Sequence, residues 1–164
     1  MTRPFFTRFR GVGQAGFSAT ELVVVVAVIG ILMAVSMPFF ISFLRTSSLR
    51  AGAEEMATVL GQARQLAIRN NTRVCVTGNG TAIQYLVGTA ADCSGGTIWT
   101  GPSTDGAGFI RLGNAITVAS AQNAVFTYIG TAELAGGTYT VTNPQNASTL
   151  SVSVAPSGRI STAP

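Results

Sequence analysis

Few side chains in this 164-residue chain are equipped for chemistry: six carboxylates, two cysteines and ten basic residues, all arginine, with no histidine. Without histidine no Ser-His or Cys-His nucleophile can be assembled. Two cysteines alone also fall short of the usual zinc ligand sets, so no metal and no other cofactor is expected. Asp92, Asp105 and Glu133 fall in loop-like stretches without a matched partner, which leaves paired-carboxylate acid–base catalysis nothing to stand on. The string GVGQAG (Gly11 to Gly16) fits the G-x-G-x-x-G pattern. That fingerprint, however, needs a preceding strand, and here the basic stretch TRPFFTRFR precedes it. The chain does not read as an enzyme.

What remains is one carboxylate in an unusual place. Glu21 opens an uncharged, apolar run from Leu22 to Leu44, 23 residues long. At about 1.5 Å per residue the run makes a helix of roughly 34 Å, enough to cross the hydrocarbon core of a bilayer. Three readings compete. A cleaved secretory signal would offer Ala34-Val35-Ser36 as its cleavage site, but Met37, Phe39, Phe40, Ile41, Phe43 and Leu44 prolong the run beyond it. A plain anchor accounts for the length and for Arg3, Arg8 and Arg10 on the cytoplasmic side, yet leaves Glu21 unexplained. An acidic group toward the bilayer centre costs roughly 2.5–3.5 kcal/mol and calls for a partner. The third reading supplies one: cleavage after Gly16 would free an amine on Phe17, four residues before Glu21, on the same helical face of this or a neighbouring chain.

The residues GFSATEL (Gly16 to Leu22), between a short basic leader and a long apolar helix, resemble the processing site of type IV prepilins and type II secretion pseudopilins. The resemblance implies that a prepilin peptidase in the inner membrane cuts after Gly16 and methylates Phe17. It also implies that Glu21 guides assembly by pairing with a neighbour's terminal amine. Where the family usually reads Thr-Leu, this chain has Ser18-Ala19. Gly30 and Pro38 match the helix-relaxing positions of the family, and Pro38 is expected to kink or locally melt the helix because it removes a backbone donor.

The elements around these residues follow from periodicity. Leu49, Ala53, Met56, Leu60, Ala63 and Leu66 or Ala67 recur at helical spacing, so the helix is expected to continue to about Asn70 with one apolar face. Its polar side carries Arg50, Glu54, Glu55, Arg64 and Arg69, with Arg50 and Glu54 spaced as an i,i+4 pair; these charges face solvent or neighbouring subunits. After Asn71 short β-branched and aromatic runs alternate with Gly, Asn, Ser and Thr: RVCVT, TAIQYLV, TIWT, GFIRL, AITVA, AVFTYI, TYTVT and TLSVSVA. Asn79-Gly80 signals a hairpin between the first two. Ala90 to Gly108 reads as a long surface loop held at Cys93. In a reducing compartment Cys75 and Cys93 stay free thiols, whereas outside the cytosol they form a disulfide, worth about 3 kcal/mol by loop closure. The fold class is α+β: a long N-terminal hydrophobic helix packed on a mainly antiparallel, β-rich head. The expected divisions are a leader (1–16), a transmembrane and assembly helix (17–44), its amphipathic continuation (45–71) and the head (72–164).

The second half of the chain resembles FimT/GspH-type minor pilins and pseudopilins in LGQARQLAIRNNTRVCV (Leu60 to Val76), in Trp99 followed by Gly101, and in SGRI (Ser157 to Ile160). The resemblance implies a minor subunit of a type IV pilus, with a pseudopilin of the secretion system as the alternative. Its partners would be the peptidase, other pilin or pseudopilin subunits and, before assembly, the inner membrane, crossed once with the N-terminus cytoplasmic and the head periplasmic. Some FimT-type pilins take up DNA with a G-R-x-R tail. Here Gly158-Arg159-Ile160-Ser161 lacks the second arginine, so DNA contact would rest on Arg159 together with Arg111 and the helix arginines. The net charge of +4 owes most to the leader.

Overall fold

A computed structural model describes residues 16–133 and 136–163. The leader's first 15 residues, with Arg3, Arg8, Arg10 and most of GVGQAG, lie outside the described residues. The chain divides into two compact units, Met1–Phe40 and Ile41–Pro164, and one helix, α1 (Ala19–Arg69), belongs to both.

In the first unit every described residue is exposed. The run that begins at Leu22 reaches a mean hydropathy of 2.7 over its most apolar window, so α1 is long and apolar enough to cross a membrane. Its helical conformation is unbroken at Gly30 and Pro38. Pro38 has no N–H for the carbonyl one turn back, yet one missing donor does not end this helix.

In the second unit α1 turns Leu49, Gly52, Ala53, Met56, Val59, Leu60, Ala63, Leu66 and Ala67 inward. These fall at the three- and four-residue spacings that make one face of a helix. They pack on one side of a nine-stranded sheet: β1 (Val74–Gly80), β2 (Ala82–Val87), β3 (Thr97–Ile98), β4 (Phe109–Arg111), β5 (Thr117–Gln122), β6 (Ala124–Phe126), β7 (Gly137–Asn143), β8 (Ser148–Val154) and β9 (Ile160–Ala163). The order is β3-β2-β1-β5-β7-β8-β9, with β4 beside β2 and β6 beside β1. All pairings are antiparallel.

Strand alternation decides which side chains meet the helix. Val76, Ile83, Tyr85, Val118, Tyr139, Val141, Val152 and Val154 share one core with α1. Two tyrosines fasten that core from within. The Tyr85 hydroxyl donates to the Val59 carbonyl of α1 at 2.7 Å, and the Tyr139 hydroxyl donates to the Val76 carbonyl at 2.7 Å while accepting from the Ala124 N–H at 2.8 Å. Gly52 lets α1 approach Ile116, because a Cβ there would come within 3.0 Å of that side chain.

The structure departs from the sequence reading in the hairpin turn, in the number of strands and in the pairing of charges. The hairpin turn is Gly80-Thr81: β1 runs on through Asn79, which pairs with Ala82, and Gly80 takes the positive φ of 65°. A ninth strand, β9, forms where the short, small-residue segment after Arg159 gave no strand signal; β8 templates it from Val154↔Ile160 to Ser151↔Ala163. Among the described residues the ion pairs are Arg73–Glu133 at 2.9 Å and Arg111–Asp105 at 4.0 Å; Arg50–Glu54 is not one of them.

Candidate functional site

Gly16 and Phe17, where the sequence leads one to expect processing, are both exposed and both precede the first helical residue, Ala19. Leu22 N–H donates to the Ser18 carbonyl at 3.1 Å, so Ser18 stands in the N-cap position, and its hydroxyl lies 2.7 Å from that of Thr20. Glu21 therefore sits in the first turn of α1, where the helix dipole favours a negative charge. It is exposed and belongs to neither ion pair of the described residues, which leaves its carboxylate open to a cation.

At the other end of α1 the head is tied together by contacts that use several of the charges expected to face outward. Glu55 Oε2 accepts from the Gly113 N–H at 2.9 Å. Arg64 Nε donates to the Gly130 carbonyl at 2.7 Å. Around that guanidinium two turns meet, with Gly130 at φ 83° and Gly158 at φ 79°. A Cβ on Gly158 would strike the same Gly130 oxygen that Arg64 binds. The quoted motifs LGQAR and SGRI, 94 residues apart from Arg64 to Gly158, thus form one junction. Sequence reasoning passed over Gly130, whose only signal was its position between a strand-like run and a threonine.

Cys75 and Cys93 form a disulfide with Cα atoms 5.5 Å apart, which pins the 89–96 loop over β1. Asp92 caps that loop through the Ser94 hydroxyl and N–H, at 2.6 and 3.0 Å, and these bonds hold its carboxyl below the usual range. Asp105 accepts from the N–H groups of Ala107 and Phe109 at 3.0 and 2.8 Å. Glu133 is partnered after all, by Arg73. The three loop acids are structural caps and ties in separate loops. Trp99 stands 5.8 Å from the Tyr85 ring and lies so close over Gly101 that any side chain there would collide with it.

The arginines proposed for DNA are not brought together. Arg111 ends β4, beside β2, and Arg159 precedes β9 at the far edge, with β1, β5, β7 and β8 between those strands. Arg64 and Arg73 are engaged within the head.

A family profile described as "Type II transport protein GspH" matches residues 52–158. The chain belongs to the GspH family. It is a pilin-type structural subunit of the type IV pilin and pseudopilin superfamily, which assembles with other such subunits and is not an enzyme. The GspH match takes in the Arg64–Gly130–Gly158 junction, the disulfide and Trp99, and begins downstream of the apolar run.

Two solved structures, E. coli GspH and V. cholerae EpsH, agree with the fold. E. coli GspH is 11% identical, with 71% of this chain and 87% of that chain covered and a TM-score of 0.53. The minor pseudopilin EpsH from the Type 2 Secretion System of Vibrio cholerae is 13% identical, with 70% and 95% covered and a TM-score of 0.52. The type IV minor pilin FimU of Pseudomonas aeruginosa is 20% identical, with 74% and 92% covered and a TM-score of 0.49. No curated protein matches the chain.

Proposed function

We propose that this GspH-family chain is the precursor of a minor pilin, built into a type IV pilus after cleavage between Gly16 and Phe17 and methylation of Phe17. The observation that carries this reading is a coincidence of features: a Gly-Phe junction just before the helix, a carboxylate in its first turn, and 23 uncharged residues after it. Each has a separate physical purpose. The glycine leaves the scissile bond unhindered, since its Cα meets nothing within 4 Å where a Cβ would be. The apolar run holds the precursor in the inner membrane, with the arginine-rich leader cytoplasmic and the head periplasmic. Glu21 then recovers, by pairing with the amine of a neighbouring Phe17, what its charge loses when α1 enters the apolar filament core; low-dielectric surroundings strengthen such a pair.

A second reading has its own support: the matching profile is described as a type II transport protein, and a secretion pseudopilin would share the processing and the fold. Direct DNA binding has no such support, with Arg111 at the end of β4 and Arg159 just before β9, which four strands separate from the β2–β4 side of the sheet.

The deciding experiment is intact mass and N-terminal sequencing of the protein from native membranes and from sheared surface filaments. A chain that begins at N-methylated Phe17 and is present in sheared pili supports the pilus reading. The same terminus in membranes, with none in pili and loss of secretion on deletion, supports the pseudopilin. A chain that begins at Met1 or near Met37 overturns both.

A further inference from the structure

The face of the sheet turned away from α1 carries a cleft of about 570 Å³, within the size range of small-molecule sites. Its origin is a fault in the ladder beside β1. Asn79 pairs with Ala119 of β5, and Val76 pairs with Ala124 of β6. Three steps along β1 are thus matched by five along its partner, and the β5–β7 pairing slips between Ser120 and Gln122. Such bulges bend a strand and re-aim its side chains. Here the bulge holds Ser120 and Asn123 at one wall, opposite Gln84 and Phe109, with Thr77 and Asn79 on the floor. Register confirms the common face: Phe109 pairs with Gln84, Gln84 with Thr77, and the neighbours Ile83 and Tyr85 point the other way into the core.

We propose that this cleft binds a neutral saccharide. None of the lining side chains is ionisable, so charge does not select the ligand. The lining instead offers three carboxamides and two hydroxyls, groups that both donate and accept and so match vicinal hydroxyls; the Ser120 hydroxyl already donates to the Gly78 carbonyl at 3.2 Å and keeps only its acceptor side for a ligand. Among the described residues the side chains of Thr77 and Asn79 bond to no protein group, and Gln84 reaches only the Ala107 carbonyl, at 3.5 Å. Asn123 Oδ1 is buried and, among the described residues, has no hydrogen-bond partner, so the protein leaves one polar atom at this wall unsatisfied. Phe109, partly exposed, gives the apolar ring on which the C–H face of a sugar can rest. An extended peptide fits less well: β1 and β2 are each paired on both sides, so no main-chain edge is open beneath the cleft to receive another strand. The inference is independent of whether the subunit serves a pilus or a secretion system.

The test is an amide-resolved NMR titration of the full-length protein in dodecylphosphocholine, a detergent without a sugar headgroup, with N,N′,N″-triacetylchitotriose and with maltotriose. Shifts confined to Thr77, Asn79, Gln84, Ser120 and Asn123 for either sugar, with Kd about 1 mM, are expected. Asn79→Ala and Gln84→Ala should each weaken binding at least about tenfold, while the unbound spectrum elsewhere stays in place and certifies the fold. No shift with either sugar, shifts centred outside the cleft, or binding that survives both substitutions would overturn the proposal.

Discussion

Glu21 and Gly158 show how differently single residues act here. Glu21 is exposed in the first turn of α1, where its charge costs the isolated subunit little. Under the proposed function its effect belongs to assembly: Glu21→Ala should be cleaved and methylated yet enter filaments poorly, as read by immunoblot of sheared and membrane fractions. Normal incorporation would refute the pairing role. Gly158 acts in the opposite manner, within one subunit. Its φ of 79° disfavours any side chain, and a Cβ would strike the Gly130 oxygen bound by Arg64. Gly158→Ala should therefore cost roughly 2–4 kcal/mol and lower the thermal midpoint by about 10 °C, measured by circular dichroism. The cysteines lie between these cases: Cys75→Ala with Cys93→Ala should remove about 3 kcal/mol in urea unfolding, through the 18-residue separation they close. The cysteine pair, and the place of Glu21 in the first turn of the helix, were legible in the sequence because such residues are rare in so apolar a chain. The Arg64–Gly130–Gly158 junction was not, because nothing local marks two glycines as facing one guanidinium across 28 residues of chain.

At the scale of elements, helical and alternating periodicities carried most of the reading. All eight strand-like runs became strands, and the apolar stripe of α1 became its buried face. The misses, β9 and the shifted hairpin turn, share one physical reason: both depend on what a neighbouring strand imposes rather than on local propensity. The seam between helix and sheet depends on two phenols, and it yields a pH prediction. Burial pushes the hydroxyls of both Tyr85 and Tyr139 well above their ordinary value, while the Ala124 N–H bonded to Tyr139 offsets a little of the rise. A raised pKa means that the fold prefers the protonated form. Below pH of about 10 both states are protonated and stability is unaffected; above it the unfolded chain ionises first, and stability falls by about 1.4 kcal/mol per pH unit for each phenol. Urea midpoints between pH 8 and 11 should show that decline, and Tyr139→Phe should halve its slope. At neutral pH the same variant should cost about 1–3 kcal/mol, because the Ala124 N–H is left without its buried acceptor. Tyr85→Phe removes the second bond to a helical carbonyl and a long contact, 3.5 Å, with Gln62 Oε1, and should cost about 1 kcal/mol.

The whole molecule combines two units that differ in burial. No described residue from 16 to 40 is buried, whereas every member of the core cluster lies at or beyond Leu49. The hydrophobic effect thus folds the second unit from its own residues, and the first unit leaves an apolar surface exposed that is compatible with single-pass membrane anchoring. The disulfide, both tyrosine bonds and the Arg64 junction all fall within Ile41–Pro164 as well. A chain that starts at Ile41 should consequently be water-soluble, form Cys75–Cys93 in an oxidising compartment, and unfold in one cooperative transition. Its urea midpoint should match that of the full-length protein in detergent within about 0.5 kcal/mol of derived stability. Helix fraying is the main expected loss, since residues 41–48 give up the turn before them, and the Asn143 bond to the Arg45 carbonyl, at 3.2 Å, should restrain it. Agreement of the two midpoints would establish that residues before Ile41 contribute nothing to the stability of the head. A deficit of several kcal/mol would mean that residues before Ile41 also support the head, and the separation of roles between the two units would have to be abandoned.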